Sequence, residues 1–320
     1  MKGHTVKYIL LITFIFLLSC DSNKTTNNAS TTPEPQNKIT AETSQNNTQQ
    51  SPAHIETNTK QTEDIEQQTN TTEPQQIKFE DGNSILAQAQ QLIENGEKIK
   101  AWQLLSQASK TNIDNKTRKQ MKKILDPIVL ENITKADNIQ ATIYKVERGD
   151  NLTKIAKKYN TSVEFLRFLN KKKNDNIRIA EKLRVISGIP YIEIYKNSFF
   201  LTVYFPHNHL YCTSYEVCLG ADGKTPTDEF IIHEKIKNPD WYTEDASGNK
   251  IRIKFGDPRH AIGTRWLDFQ DQGLGIHGTN DPSSIGKNLS HGCTRLRNED
   301  VEQLFELVSR NTKVSIKEWK

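Results

Sequence analysis

The chain has 320 residues, of which 34% are hydrophobic and 26% charged, and its mean hydropathy is -0.71. That length allows two domains or more, yet so low an apolar content means that part of the chain lies outside any packed core. A formal net charge of +4 and a pI near 8.7 are too mild to warrant a nucleic-acid partner.

At the N-terminus Lys2 and Lys7 precede an apolar run from Tyr8 to Leu18, interrupted by Thr13 and ending in Leu17-Leu18-Ser19-Cys20. The run is shorter than the ~20 residues a membrane-crossing helix needs, and it follows the pattern of an export signal. A small residue directly before Cys20 resembles a bacterial lipobox. This resemblance implies a lipoprotein signal peptide over residues 1–20, lipid attachment to Cys20, and an exported protein held to a membrane in the cell envelope or periplasm. An ordinary signal peptide or an uncleaved anchor is the alternative, and it also exports the chain.

Residues 21–76 are mostly Thr, Asn, Gln, Ser, Glu and Pro, with three isolated Ile and no aromatic, Leu, Val or Gly. Such a segment buries too little apolar surface to offset its chain entropy, so it is expected to be a disordered tether. Its relaxed reach is roughly 40 Å and its extended limit roughly 180 Å.

From 77 to 138 apolar residues recur at helical spacing: Ile85, Leu86, Ala89, Leu92 and Ile93, then Ile99, Trp102, Leu104, Leu105 and Ala108. Asn95-Gly96 separates the two runs, which predicts a helical hairpin. A third helix is expected from Thr117 to Leu125, ended by Asp126-Pro127. The segment reads as a structural spacer, with a protein-docking surface as the lesser alternative.

Residues 143–187 alternate at Tyr144 and Val146, carry a cap at Asp150 or Asn151 ahead of Leu152, Ile155 and Ala156, continue through Val163 to Leu169, and close on Lys182-Leu183-Arg184-Val185-Ile186. The pattern predicts a βααβ unit. Through Tyr144, Val146, Gly149, Asp150, Leu152, Ile155, Ala156, Tyr159, Leu166, Asn170, Leu183 and Val185 it resembles a LysM module. The resemblance implies binding of N-acetylglucosamine-containing glycans such as peptidoglycan, with Tyr144, Gly149, Asp150 and Asn170 as candidate glycan-binding residues. Ala180 and Glu181 stand where that family usually has a Gly. Twelve Lys or Arg stand against five Asp or Glu between Lys145 and Ile186, a surplus read as a solvated face.

Residues 190–320 read as β-rich, with strands expected at Tyr191 to Tyr195, Phe199 to Phe205, Leu210 to Leu219 and Glu229 to His233, and a hairpin tip at 206–209. Asn298 is placed to cap a helix whose Val301, Leu304, Phe305 and Val308 share one face. Lys313 to Trp319 returns as a last strand. Cys212 and Cys218 lie six residues apart in one strand-like stretch, about 20 Å, too far for a bridge unless the strand breaks, so both are expected to be buried and reduced.

The chemistry concentrates in Ser290-His291-Gly292-Cys293-Thr294-Arg295-Leu296, preceded by His277-Gly278-Thr279. A cysteine is a useful nucleophile as thiolate, and a nearby imidazole or cation lowers its pKa toward neutrality, so the pattern points to acyl transfer through a thioester. If 292–295 is extended, Cys293 and Arg295 share a face. Gly292 leaves the backbone open, so the Gly292 and Cys293 amides can form an oxyanion hole. With Gly286 and Asn298, this set resembles the signature of the L,D-transpeptidase (YkuD-like) catalytic domain over about 191–316, including Gly220 and Thr225-Pro226-Thr227. Asp228 departs from that family's usual Gly, which puts the shape of the cleft in question.

This resemblance implies Cys293 as nucleophile, His277 as general base with the Gly278 carbonyl fixing its tautomer, and Arg295 and His291, beside Ser290, as groups that position the substrate carboxylate or support the loop. It implies no cofactor and leaves the oligomeric state open. The expected fold class is therefore multidomain: a β-rich catalytic domain with one or more packed helices, preceded by the LysM module and the small α-helical segment. The expected partner is peptidoglycan, through both stem peptides and glycan strands. The 280–289 loop is a candidate flap, Trp241 and Trp266 are core or cleft walls, and Arg265 is a surface charge. Competing readings are an L,D-carboxypeptidase, a non-catalytic wall-binding lipoprotein, and a zinc site on His277, His291 and Cys293 that lacks a fourth ligand.

Overall fold

The computed structural model describes residues 82–319 apart from 271 and 272. The signal peptide, Cys20 and the 21–76 tether therefore lie outside the described residues. Among the described residues no helix is long and apolar enough to cross a membrane.

Three helices come first, α1 (Gly82–Glu94), α2 (Lys98–Ala108) and α3 (Asn115–Asn132). Asp114 caps α3, its carboxylate accepting from the Thr117 amide at 2.9 Å and the Thr117 hydroxyl at 2.6 Å. The expected stop at Asp126-Pro127 is not a stop: α3 runs through Pro127 to Asn132. Pro127 and Lys123, whose carbonyl loses its donor, both face solvent, while Ile128, Val129 and Asn132 extend the buried face beyond the proline. Burial of that face outweighs one missing hydrogen bond.

The expected βααβ unit is present as β1 (Thr142–Lys145), α4 (Leu152–Lys158), α5 (Val163–Leu169) and β2 (Lys182–Val185), with β1 and β2 antiparallel. Asn151 and Ser162 cap the two helices. Tyr144, Val146, Leu152, Ile155, Leu166, Leu183 and Val185 close its small core. Ala180 sits at φ 66, the left-handed region that a Gly would enter without strain, and a Cβ there costs about 1 kcal/mol.

Strands β3 (Tyr191–Tyr195), β4 (Phe200–Tyr204), β5 (Tyr211–Glu216), β6 (Leu219–Gly220), β7 (Glu229–Ile231), β8 (Glu234–Lys237), β9 (Trp241–Glu244), β10 (Lys250–Ile253), β11 (Arg265–Asp268), β12 (Gly275–His277), β13 (Asn288–Ser290) and β14 (Thr294–Arg295) follow, then α6 (Asn298–Leu307) and β15 (Lys313–Lys317). One sheet has the order β5-β4-β3-β15-β7 and a second β14-β12-β11-β8, while β13 pairs with β6 and β10 with β9. Ile192, Ile194, Leu201 and Val203 of the first sheet share a core with Leu267 and Ile276 of the second and with Val301 and Leu304 of α6. All five residues of β4 are buried, as a strand covered on both faces must be.

The helical segment is part of this body and not a spacer. Trp102 of α2 is fully buried, its indole N–H donating to the Tyr211 carbonyl at 2.8 Å, and the Ser106 hydroxyl accepts from the Tyr211 amide at 2.9 Å. Both bonds satisfy the free backbone edge of β5 at the end of its sheet. Arg118 donates to the carbonyls of Ser109, Thr111 and Ile113 and lies 4.0 Å over the Tyr195 ring. Cys212 and Cys218 are buried and free, in line with expectation.

Candidate functional site

β12 and β14 run parallel with His277 opposite Arg295, so residues from two distant stretches meet at the ends of adjacent strands. Cys293 precedes β14, and Cys293, His277, Arg295, His291 and Ser290 line one cavity of about 520 Å³. The alternation expected of the motif holds: Thr294 and Leu296 are buried on the opposite face.

The position of Asn298 explains both glycines of this region. It was expected to cap α6, but Arg297 takes the cap position. The Asn298 side chain instead accepts from the Thr264 amide at 3.2 Å and donates to the Thr279 carbonyl at 3.1 Å, tying β11 to the residues after β12. A Cβ on Gly278 or Gly263 would stand 2.1 or 2.2 Å from its Oδ1, so both positions need glycine.

His277 is buried at 4% exposure, and its Nδ1 lies 2.6 Å from the Gly278 carbonyl. A carbonyl can only accept, so the bond assigns the proton to Nδ1 and leaves Nε2 as the basic nitrogen. The Trp266 ring stacks on the imidazole at 5.4 Å and 23°. Burial pulls the imidazole down to about 4, the Gly278 carbonyl opposing it and Arg295 adding to it.

The thiol is not hydrogen-bonded to that imidazole. It donates to the Gly273 carbonyl at 3.5 Å. Burial pushes the Cys293 thiol up, with the Gly275 amide and the Arg295 guanidinium acting against it. Burial therefore works against the expected thiolate, and the guanidinium of Arg295 favours it without outweighing that burial.

Gly292 also departs from its expected role. Its amide donates to the Ser290 hydroxyl at 3.1 Å, and that hydroxyl donates to the Cys293 carbonyl at 2.6 Å. The Gly292 N–H is therefore turned away from any oxyanion, because the compact 290–293 turn satisfies itself. The Cys293 amide has no hydrogen-bond partner among the described residues.

Arg295 has no ion-pair partner among the described residues, and its Nε is buried without an acceptor. A guanidinium left unpaired against a cavity is a ready site for a carboxylate. His291 is exposed at the rim. Among the described residues no group of three or more His, Cys, Asp or Glu is arranged to hold a metal.

The opposite wall comes from Asp240, Trp241, Tyr242 and Thr243, and from Ala261 and Ile262. The expected reading of Trp241 and Trp266 as cleft walls agrees with this. The 280–289 flap does not: the Gly286 amide donates to Val217 O at 3.0 Å and Lys287 O accepts from the Leu219 amide at 3.0 Å, which fastens that loop to β6 and to the residue that follows β5. Cover over the cavity comes from the β9–β10 hairpin, whose Ser247-Gly248 turn was its sequence signal. Asp228 immediately precedes β7 and is not among the residues that line the cavity, its carbonyl accepting from the Ile316 amide at 2.9 Å. Arg265 is no free surface charge, being largely buried against Phe305 and bonded to the Thr264 carbonyl at 2.8 Å.

In the βααβ unit the candidate glycan residues turn inward. Tyr144 donates to Asp150 at 2.7 Å, Asp150 also accepts from the Glu147 amide at 2.8 Å, and Asn170 bonds Leu166 O, Arg184 O and Arg184 N. Gly149 supplies the φ 87 of the turn before α4. Tyr144, Asp150 and Asn170 hold the module together, which leaves their polar atoms engaged within it.

Residues 189–316 match the sequence profile of the L,D-transpeptidase catalytic domain, and residues 144–185 that of the LysM domain. The chain is 32% identical over 181 residues to a Bacillus subtilis protein named as an L,D-transpeptidase, YkuD, covering 54% of this chain and 97% of that one. It is 38% identical over 108 residues to another from the same organism, YqjB, covering 32% of this chain and 57% of that one. The NMR structure of the catalytic domain from an E. faecium L,D-transpeptidase is similar at 19% identity and a TM-score of 0.33, covering 40% of this chain and 96% of that one.

Proposed function

Because the chain belongs to the L,D-transpeptidase (YkuD) family, we propose that it acts on peptidoglycan stem peptides through a thioester on Cys293. The observation that carries this reading is the convergence of Cys293, His277 and the unpaired Arg295 on one cavity. The substrate is a tetrapeptide stem, and the bond cleaved is the amide after its third residue. Sulfur adds to that carbonyl carbon while its proton passes to Nε2 of His277, the basic nitrogen once Nδ1–H is bonded to Gly278. The C–N bond then breaks, D-Ala leaves as an amine with the proton from His277, and the acyl group stays on sulfur.

An amine from a second stem or from a protein attacks the thioester, His277 takes its proton, and the sulfur leaves to be reprotonated. Arg295, with His291 at the rim, holds a substrate carboxylate. The product is a crosslink or a protein attached to the wall. The LysM module keeps the enzyme on its glycan.

After exposure to a carbapenem, intact-protein mass spectrometry should show one covalent adduct, absent from Cys293→Ala. An unmodified wild-type protein would overturn the nucleophile assignment. With tetrapeptide muropeptides as substrate, dimers support transfer, whereas tripeptides alone mean that water resolves the acyl-enzyme and the protein is an L,D-carboxypeptidase. Unchanged products from Cys293→Ala would mark a wall-binding protein without catalysis.

The Leu-Ser-Cys sequence at 18–20 supports export and lipid anchoring at Cys20 in the cell envelope. Cys20→Ala should move the protein from the membrane to the soluble fraction. Equal membrane retention in both forms would rule the lipid anchor out.

A further inference from the structure

Thr225 lies in the loop between β6 and β7, sixty-seven residues before Gly292, and is 1% exposed. Its hydroxyl accepts from the Gly220 amide at 2.7 Å and donates to the Gly292 carbonyl at 2.8 Å. An amide can only donate and a carbonyl can only accept, so both bond directions are fixed. The Gly292 carbonyl and the Cys293 amide belong to the same peptide unit. That unit is planar and trans, so its N–H points opposite to its C=O.

The surrounding bonds leave one group free. Gly292 N–H is held by the Ser290 hydroxyl and Cys293 C=O receives the Ser290 proton. With Gly292 C=O bound to Thr225, the Cys293 N–H remains without a partner among the described residues, next to its own sulfur. Packing reinforces the orientation: Gly292 has φ 136, and a Cβ on it would meet Leu274 Cδ2 at 2.9 Å and Lys224 O at 3.2 Å. A side chain at 292 would therefore push the turn off the strand of chain that carries Thr225.

We propose that Thr225 is a positioning residue for acyl transfer: by holding the Gly292 carbonyl, it aims the Cys293 amide at the oxygen on which negative charge develops. As sulfur bonds to the carbonyl carbon and its proton leaves for His277, the π electron pair moves onto oxygen, and the Cys293 N–H donates to it. Collapse restores the C=O bond and expels the amine. The donor makes its strongest bond in the transition state, so it raises kcat and leaves KM little changed.

The inference rests on Cys293 being the nucleophile, and two probes separate the claims. Acylation by ertapenem passes through an oxyanion, whereas alkylation by iodoacetamide displaces iodide from a saturated carbon and forms none. In the full chain, both rates at Cys293 are read by mass spectrometry for wild type, Thr225→Val, Thr225→Ala and Thr225→Ser. Removing one aligned oxyanion donor costs about 10²-fold to 10³-fold in rate. Thr225→Val is expected to lose about 10²-fold in acylation with alkylation unchanged, and Thr225→Ser, which keeps the hydroxyl, to recover most of the loss. Thr225→Ala gives the same comparison should the valine variant fail to fold, and unreactive Cys212 and Cys218 show that the core is intact.

Equal losses in both rates, or no loss in either, would overturn the proposal. So would a serine variant as slow as the valine one. A wild-type protein that alkylates but never acylates would instead remove the nucleophile reading on which it stands.

Discussion

His277 gives one nitrogen to the Gly278 carbonyl and one ring face to Trp266, and Cys293 gives its proton to the Gly273 carbonyl. Burial moves the two groups in opposite directions, the imidazole down to about 4 and the thiol above its ordinary value. Burial thus works against the thiolate and the imidazolium alike, and an ion pair would have to form inside a site that disfavours either charge. In the proposed reaction, proton transfer then accompanies attack on a bound substrate instead of preceding it. Alkylation of Cys293 by iodoacetamide should keep rising with pH past the usual thiol value of about 8.5, with no plateau near neutrality. A plateau below pH 7 would show a preformed thiolate and imidazolium. The motif residues themselves were readable, because nucleophile, base and guanidinium stand in a short pattern. Thr225, Asn298 and Trp266 were also singled out, but their contacts were not readable, because each acts through a residue brought near by the sheets, and an Asn at the start of a helix looks locally like a cap.

Elements were legible where one face is buried and the other wet. The βααβ unit, the paired helices α1 and α2, and α6 all show that periodicity, and all are present. The end of α3 was misplaced because proline chemistry is local, whereas the face carrying Ile128 and Val129 is stabilised by partners far away. The 280–289 loop was misread for a related reason. Its polar sequence suggests a mobile cover, but backbone bonds to Val217 and to Leu219 of β6, to which sequence patterns are blind, pin it down. The β9–β10 hairpin has the complementary property. Trp241 and Tyr242 are half-buried and exposed, supported by the bonds of Asp240 to Arg252 and to the Phe255 amide at 3.0 Å, so it walls the cavity without belonging to the main core. Ala180 shows an element holding its shape against local preference, with Glu181 bonded to Lys172 at 2.8 Å and to the Arg178 amide at 2.9 Å on the same turn.

At the scale of the whole described body, three separately patterned segments meet on Phe205. Trp102 of α2 contacts its ring edge-on at 6.0 Å, and Phe165 of α5 lies 5.9 Å away. Ion pairs from Glu164 to Lys235 at 3.0 Å and from Arg167 to Glu306 at 3.3 Å flank the same junction. Sequence treats these segments as units because each has its own period, but the residues that join them sit in turns and on single helix faces. The LysM unit is thereby fixed to the body that carries the cavity, so on the proposed function a glycan held by one would stand at a set position relative to the other. A chain of residues 190–320 alone would bare Phe205 and the β5 edge that Trp102 and Ser106 now satisfy. It should aggregate, whereas residues 82–320 should unfold in one transition seen alike by calorimetry and by loss of Cys293 acylation. Trp102→Ala removes a fully buried indole and its hydrogen bond, a change that costs about 3 to 5 kcal/mol, and it should lower that single midpoint for every probe. Two resolved transitions, with the acylating unit melting where it does in wild type, would show that the junction on Phe205 does not couple the segments.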